Sequence, residues 1–140
     1  IWKGLVGSEM CIRDRAYASL GFTHACEAVL ILVRTCNKYI DETAPWSLYK
    51  QGQLEALAEV LYSVLESVRL AAYHLSPIIP NISNAIYQQL GFSNDFNNKS
   101  VINSSETFVQ QISWGALPVN QALGQPQPIF KRLELIETVT

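Results

Sequence analysis

QLEALAEVLYSVLESVRLAAYHLS, residues 53–76, decides the fold. Leu54, Leu57, Ala58, Leu61, Val64, Leu65, Val68, Ala72 and Leu75 recur at three- and four-residue steps over about six turns, the period of an amphipathic α-helix. Val60, Leu70 and Tyr73 fall off that stripe. A second face must therefore be covered too, which is the habit of a helix inside a bundle.

Working outward, Leu20, Phe22, Ala25, Ala28, Val29, Leu32, Val33 and Cys36 repeat the same spacing and predict a helix over 16–41. On the other side, SPIIP (76–80) holds two prolines that make a stiff connector. A third helix follows over 80–90, with Pro80 or Asn81 at its start, Ile82, Ile86 and Leu90 on one face, and Gly91 as its left-handed end. Residues 93–105 are rich in Asn and Ser, whose side chains bond their own backbone, and read as a loop. Beyond them, Gly115, Pro118, Gly124, Pro126 and Pro128 break the apolar groups into a tail laid over a surface like a strap. Its last stretch, IFKRLELIETV (129–139), fits a short strand and a helix about equally. The expected class is all-α.

A chain of 140 residues, 49% of them hydrophobic, buries one core and leaves no room for a nucleotide-binding and a substrate domain together. Twelve acids against ten bases give a net charge of −2, so any nucleic-acid contact must be local. The three cysteines have neither CxxC spacing nor an even count, which argues against a disulfide framework and favours a reducing cytoplasm. The longest apolar run, AVLILV at 28–33, is far short of a membrane span. Residues 1–15, IWKGLVGSEMCIRDR, show no clean period, and their GLVGSEMCIRDR string resembles translated sequencing adaptor. They are expected to be non-native, leaving 16–140 as the domain.

Catalytic signals are absent. His24 and His74 stand alone in helical segments without a ligand at metal spacing, so no metal is expected. Neither common phosphate loop occurs, and no Ser or Cys has its supporting residues at recognisable spacing. Asp41 and Glu42 are sequence neighbours and diverge on a helix, a poor acid–base pair.

The informative stretch is NKYIDETAPWSLYK, 37–50. Tyr39 to Glu42 close the first long helix, Thr43 is a candidate cap, and Pro45 suits the first position of a new helical turn. Trp46 is thereby delivered beside a turn. An indole so placed can plug a helix–helix corner, or it can keep a face free to stack on an unpaired RNA base.

Asn37, Tyr39, Ile40, Asp41, Ala44, Pro45, Trp46 and Lys50 resemble a segment of the anticodon-binding domain of methionyl-tRNA synthetases, where Asn-x-Tyr-[Ile/Val]-[Asp/Glu] is followed by Ala-Pro-Trp and then Lys. Leu75, Pro77 and Pro80, then Pro128, Ile129, Phe130 and Arg132, echo two further family motifs in the right order. The likeness covers 16–135.

The resemblance implies an anticodon-binding helical bundle, incomplete and with a long irregular C-terminal tail. It implies the part of a methionine–tRNA ligase that positions its tRNA, with Trp46 at the anticodon loop, Asn37, Tyr39 and Pro45 shaping the corner, and Lys50 as a phosphate contact. Aminoacylation with ATP and magnesium would belong to a catalytic domain whose His-Ile-Gly-His-like and Lys-Met-Ser-Lys-Ser-like motifs are not in this sequence. The implied partners are tRNA and that domain, in the cytoplasm and without a membrane. Two other readings compete: the same domain from a synthetase for Ile, Val, Leu or Cys, and a non-enzymatic helical interaction module with Trp46 buried.

Overall fold

The computed structural model describes residues 2–92 and 105–130, among which every regular element is a helix. They are α1 (Trp2–Ala18), α2 (Phe22–Thr43), α3 (Pro45–Lys50), α4 (Leu54–Leu75), α5 (Pro80–Gln89) and α6 (Ser105–Ile112). Helix α4 is the hub. It packs against α2, α3, α5 and α6, while α1 lies on α2. Of the loop expected over 93–105, residues 93–104 fall outside the described residues, as does the chain end from Lys131, Arg132 included, while Ser105 opens α6.

The ends of the helices are set by left-handed residues. After α1, the Gly21 N–H reaches the Ala16 carbonyl at 2.7 Å and the Leu20 N–H reaches Tyr17 at 3.0 Å, with Leu20 at φ 59°. That is a Schellman end with leucine where glycine is usual. It corrects the single helix expected over 16–41: the chain breaks at 19–21 and restarts as α2. Gly52 (φ 71°) closes α3 and Gly91 (φ 84°) closes α5 with the same bond pattern, Gln53 to Leu48 and Phe92 to Tyr87. At Gly91 the αL end expected from sequence is present. Helix α1 also runs without a break across residues 15 and 16, so aperiodic residues before Ala16 are helical as well.

Helix α4 buries its apolar stripe unevenly: Ala72 is buried, most of the rest is half-buried, and its N-terminal part is largely exposed. Val60, Leu70, Ala71 and Ala72 are buried, whereas Leu54 is 61% and Leu61 45% exposed. The reason is that α2 covers one flank and α5 with α6 the other, so off-stripe Val60, Leu70 and Ala71 share the packing with Ala72 of the stripe. Val29 and Leu32 of α2 meet Leu70 and Ala71 of α4, with Leu75 and Trp114 against them; Ala72 and Tyr87 form a second centre with Tyr73, Ile86 and Phe92. The stripe between the flanks lines two open grooves of about 440 and 470 Å³.

The tail is a strap, as its Gly and Pro spacing implies. Its anchor is an ion pair that periodicity does not reveal. Glu66 and Arg69 are both fully buried in α4. The Glu66 carboxylate accepts the N–H groups of Gly115 at 2.8 Å, Ala116 at 3.1 Å and Leu117 at 3.1 Å. Arg69 donates to the Gln111 and Ser113 carbonyls at 2.8 and 3.0 Å. Burial alone would lower the Arg69 pKa, but the hydrogen bonds and charge of Glu66 outweigh it and raise the pKa, keeping the guanidinium charged. Further along, the Tyr62 hydroxyl donates to the Leu117 carbonyl at 2.8 Å, and the Gln89 amide group exchanges two hydrogen bonds with the Gln127 backbone.

Candidate nucleic-acid interface

The corner between α2 and α3 is built by one residue. Ala44 sits at φ 42°, ψ 66°, in the left-handed region, and its N–H closes α2 on the Ile40 carbonyl at 3.0 Å. Its own carbonyl then opens α3 by accepting the Ser47 N–H at 2.7 Å. Pro45 follows at the first helical position, where its fixed φ is helix-ready and its missing N–H costs nothing. Thr43 does not cap α3: its hydroxyl donates backwards to the Tyr39 carbonyl at 2.7 Å, inside α2. The reversal is thus a backbone device, with no side-chain cap on the new helix.

The short helix α3 divides its residues. Ser47 and Leu48 are half-buried, on the side that packs against α4. Trp46 is 54% exposed and Tyr49 68% exposed, and Lys50 is exposed beside them. A corner plug would bury the indole; here half of it meets solvent.

The remaining expected residues sit in the last turns of α2, on opposite sides of it. Asn37 and Tyr39 are two positions apart, which turns them roughly 160° from each other. Asn37 is exposed, at the rim of a small cavity of about 70 Å³ lined also by Cys36, Ile40 and Val64 between α2 and α4. Tyr39 is half-buried, on the same side as buried Cys36. The structure therefore groups Pro45, Trp46 and Lys50 on one short helix, with Asn37 exposed and Tyr39 turned inward just before the elbow.

The charge around the corner is mixed: the exposed acids Asp41 and Glu42 stand among the exposed bases Arg34, Lys38 and Lys50. Among the described residues, the exposed bases are Arg15 on α1 and Arg34, Lys38 and Lys50 on α2 and α3. Lys38 is shared with Glu42 at 3.5 Å, an exposed i,i+4 pair worth about 0.2–0.5 kcal/mol. Arg34 and Lys50 have no ion-pair partner among the described residues. Sequence reasoning passed over two features here: Arg34 with Lys38, four apart on one helix face, and Tyr49, whose i+3 spacing from Trp46 in PWSLYK was the available signal.

Among the described residues no helix is long and apolar enough to cross a membrane, and no group of three His, Cys, Asp or Glu stands together.

Residues 12–136 match the family model described as the anticodon binding domain of methionyl tRNA ligase. A methionine–tRNA ligase of Synechocystis is 56% identical over 121 residues, which is 86% of this chain and 23% of the relative. One from Nostoc is also 56% identical, covering 89% of this chain and 23% of its own length. The chloroplastic and mitochondrial ligase of Arabidopsis thaliana is 41% identical over 85% of this chain and 18% of its own. The chain thus spans about a quarter or less of the relatives it matches. No solved structure gives a significant match. The helical bundle and its Ala-Pro-Trp elbow accord with a family match over most of the length: the chain belongs to the family of methionyl-tRNA ligase anticodon-binding domains.

Proposed function

We propose that this chain holds the anticodon loop of a methionine tRNA, with Trp46 stacking on an unpaired base, while a catalytic domain of the same protein joins methionine to the tRNA. The observation that carries this reading is the half-exposed indole on a proline-started helix in a chain of this family. Stacking of a base on an aromatic ring contributes about 1–3 kcal/mol, which suits one well-placed residue. Pro45 and the elbow aim the ring, Tyr39 fixes the end of α2 from within, and Asn37 and Lys50 offer polar and phosphate contacts on either side. Few phosphates are neutralised by so few bases, so the domain contributes selectivity more than raw affinity. ATP and magnesium are used by the catalytic domain, and the reaction takes place in the cytoplasm.

The test is Trp46→Ala in the full-length protein that carries this chain, titrated with a labelled stem-loop bearing the methionine anticodon. A loss of about 1–3 kcal/mol in binding with an unchanged melting temperature is expected. Wild-type affinity in the variant would remove the indole from recognition and leave the corner a purely structural elbow.

A further inference from the structure

We propose that Tyr49 is a second stacking platform, taking the base next to the one that Trp46 holds. The inference rests on the anticodon-loop reading above and adds a residue to it. Trp46 and Tyr49 are three apart on α3, which places their Cβ atoms on one helix face about 5–6 Å from each other. Both rings are mostly in solvent, 54% and 68% exposed. Neither is packed on another aromatic ring among the described residues, unlike Tyr17 with Phe22, Tyr73 with His74 and Tyr87 with Phe92.

The helix that bears them is held at both ends. Ala44 fixes its start in the left-handed region, and at its end the Gly52 N–H meets the Tyr49 carbonyl at 3.1 Å and the Gln53 N–H meets Leu48 at 3.0 Å. Its inner residues Ser47 and Leu48 face the bundle. What remains outward is a flat aromatic pair followed by Lys50, the composition that proteins use to track an unpaired strand: rings for successive bases, a cation for the backbone. An isolated exposed tyrosine needs no explanation, but two large rings on one face of a six-residue helix are an apolar surface with a shape. Protein partners would find the same face, yet the lysine at its edge and the family's RNA ligand favour nucleic acid.

The experiment uses the full-length protein carrying this chain and the labelled methionine-anticodon stem-loop, with Tyr49→Ala, Tyr49→Leu, Tyr49→Phe and Trp46→Ala. Tyr49→Ala and Tyr49→Leu are expected to weaken binding about 5- to 100-fold, and Tyr49→Phe to restore it, because stacking uses the ring face. The salt dependence of binding should keep its slope in all Tyr49 variants, since no phosphate contact is removed. If Tyr49→Leu binds as tightly as wild type while Trp46→Ala does not, Tyr49 is no platform and the indole reading survives. If neither position matters, both readings fall. A loss in Tyr49→Phe equal to that in Tyr49→Ala, or a reduced salt slope, would replace stacking by a role of the hydroxyl and overturn the proposal.

Discussion

Glu66 and Arg69, one turn apart in α4 and both without solvent exposure, face each other with two parallel hydrogen bonds of 2.8 Å. A buried ion pair by itself is weak evidence of stability, because desolvation consumes most of the attraction. This pair differs in that its outer lone pairs and protons are spent on the backbone of 111–117.

Breaking the pair is therefore expected to be severe and not repairable by apolar substitution. Arg69→Met should cost about 3–5 kcal/mol by leaving a carboxylate uncompensated. In Glu66→Met/Arg69→Met the charges are gone, but the amides of Gly115, Ala116 and Leu117 lose their acceptor, at roughly 1–3 kcal/mol for each one left dry. Urea unfolding should find the double variant clearly less stable than wild type; equal stability would show that the strap does not depend on the carboxylate.

Two helix ends can be improved. Leu20 (φ 59°, 74% exposed) and Ala44 (φ 42°) occupy conformations that cost an L-residue roughly 1 kcal/mol and glycine almost nothing. Leu20→Gly and Ala44→Gly should each stabilise by about 0.5–1 kcal/mol, and Ala44→Val should destabilise by about 1–3 kcal/mol. Thermal unfolding of the three variants checks the order. An unchanged Ala44→Val would mean that the elbow tolerates other backbone shapes.

The opposite holds where the strap crosses α5. A methyl on Gly91 would run into the Ala122 carbonyl, and one on Gly124 would stand 2.5 Å from the Gln88 carbonyl. Gly91 additionally needs its positive φ. Gly91→Ala and Gly124→Ala should each cost about 2 kcal/mol or more, with amide exchange rising first at Gly124, whose N–H binds the Gln89 carbonyl at 2.9 Å.

Alkaline pH should loosen the same region. Burial is the main cause that raises the Tyr87 hydroxyl to about 12, with Arg69 acting in the lowering direction. Between the ordinary value of 10.0 and about 12 the unfolded chain has lost this proton and the folded chain keeps it. Stability conferred by the neutral phenol is full below pH 10.0 and falls as pH rises through that window, by roughly 2–3 kcal/mol in all. Tyr87→Phe should flatten the decline measured by thermal unfolding from pH 9 to 12, and an unaltered slope would assign it to other groups.

The bundle was legible wherever periodicity and glycine agreed. The helices over 53–76 and 80–90 were visible because apolar spacing ran unbroken and Gly91 marked an end. The break at 19–21 was hidden because leucine fills the left-handed position and the glycine comes one residue late. The second covered face of α4, with Val60 and Leu70, is the one the off-stripe apolar residues indicate, whereas the exposure of Leu54 and Leu61 on the stripe depends on which flanks have neighbours, and sequence spacing carries no information on that. Nothing in the sequence marks Glu66 and Arg69 as a buried pair, because their backbone partners lie more than forty residues away, in carbonyls and amides that any sequence would supply. At the corner, Pro45 takes the first helical position that its fixed φ suggests, Trp46 reads from sequence either as a buried plug or as a half-free ring, and the capping role open to Thr43 is performed by the backbone itself. Tyr49 went unnoticed because an aromatic is ordinarily a core residue, and only its exposure distinguishes it.

The elbow at Ala44 has one further consequence for the RNA reading. Because the left-handed residue and the proline ring fix the entry angle of α3, the backbone that carries the indole is preorganised before any ligand arrives. The ordering cost on the protein side is then confined to side chains, which favours loops that can splay a base outward easily.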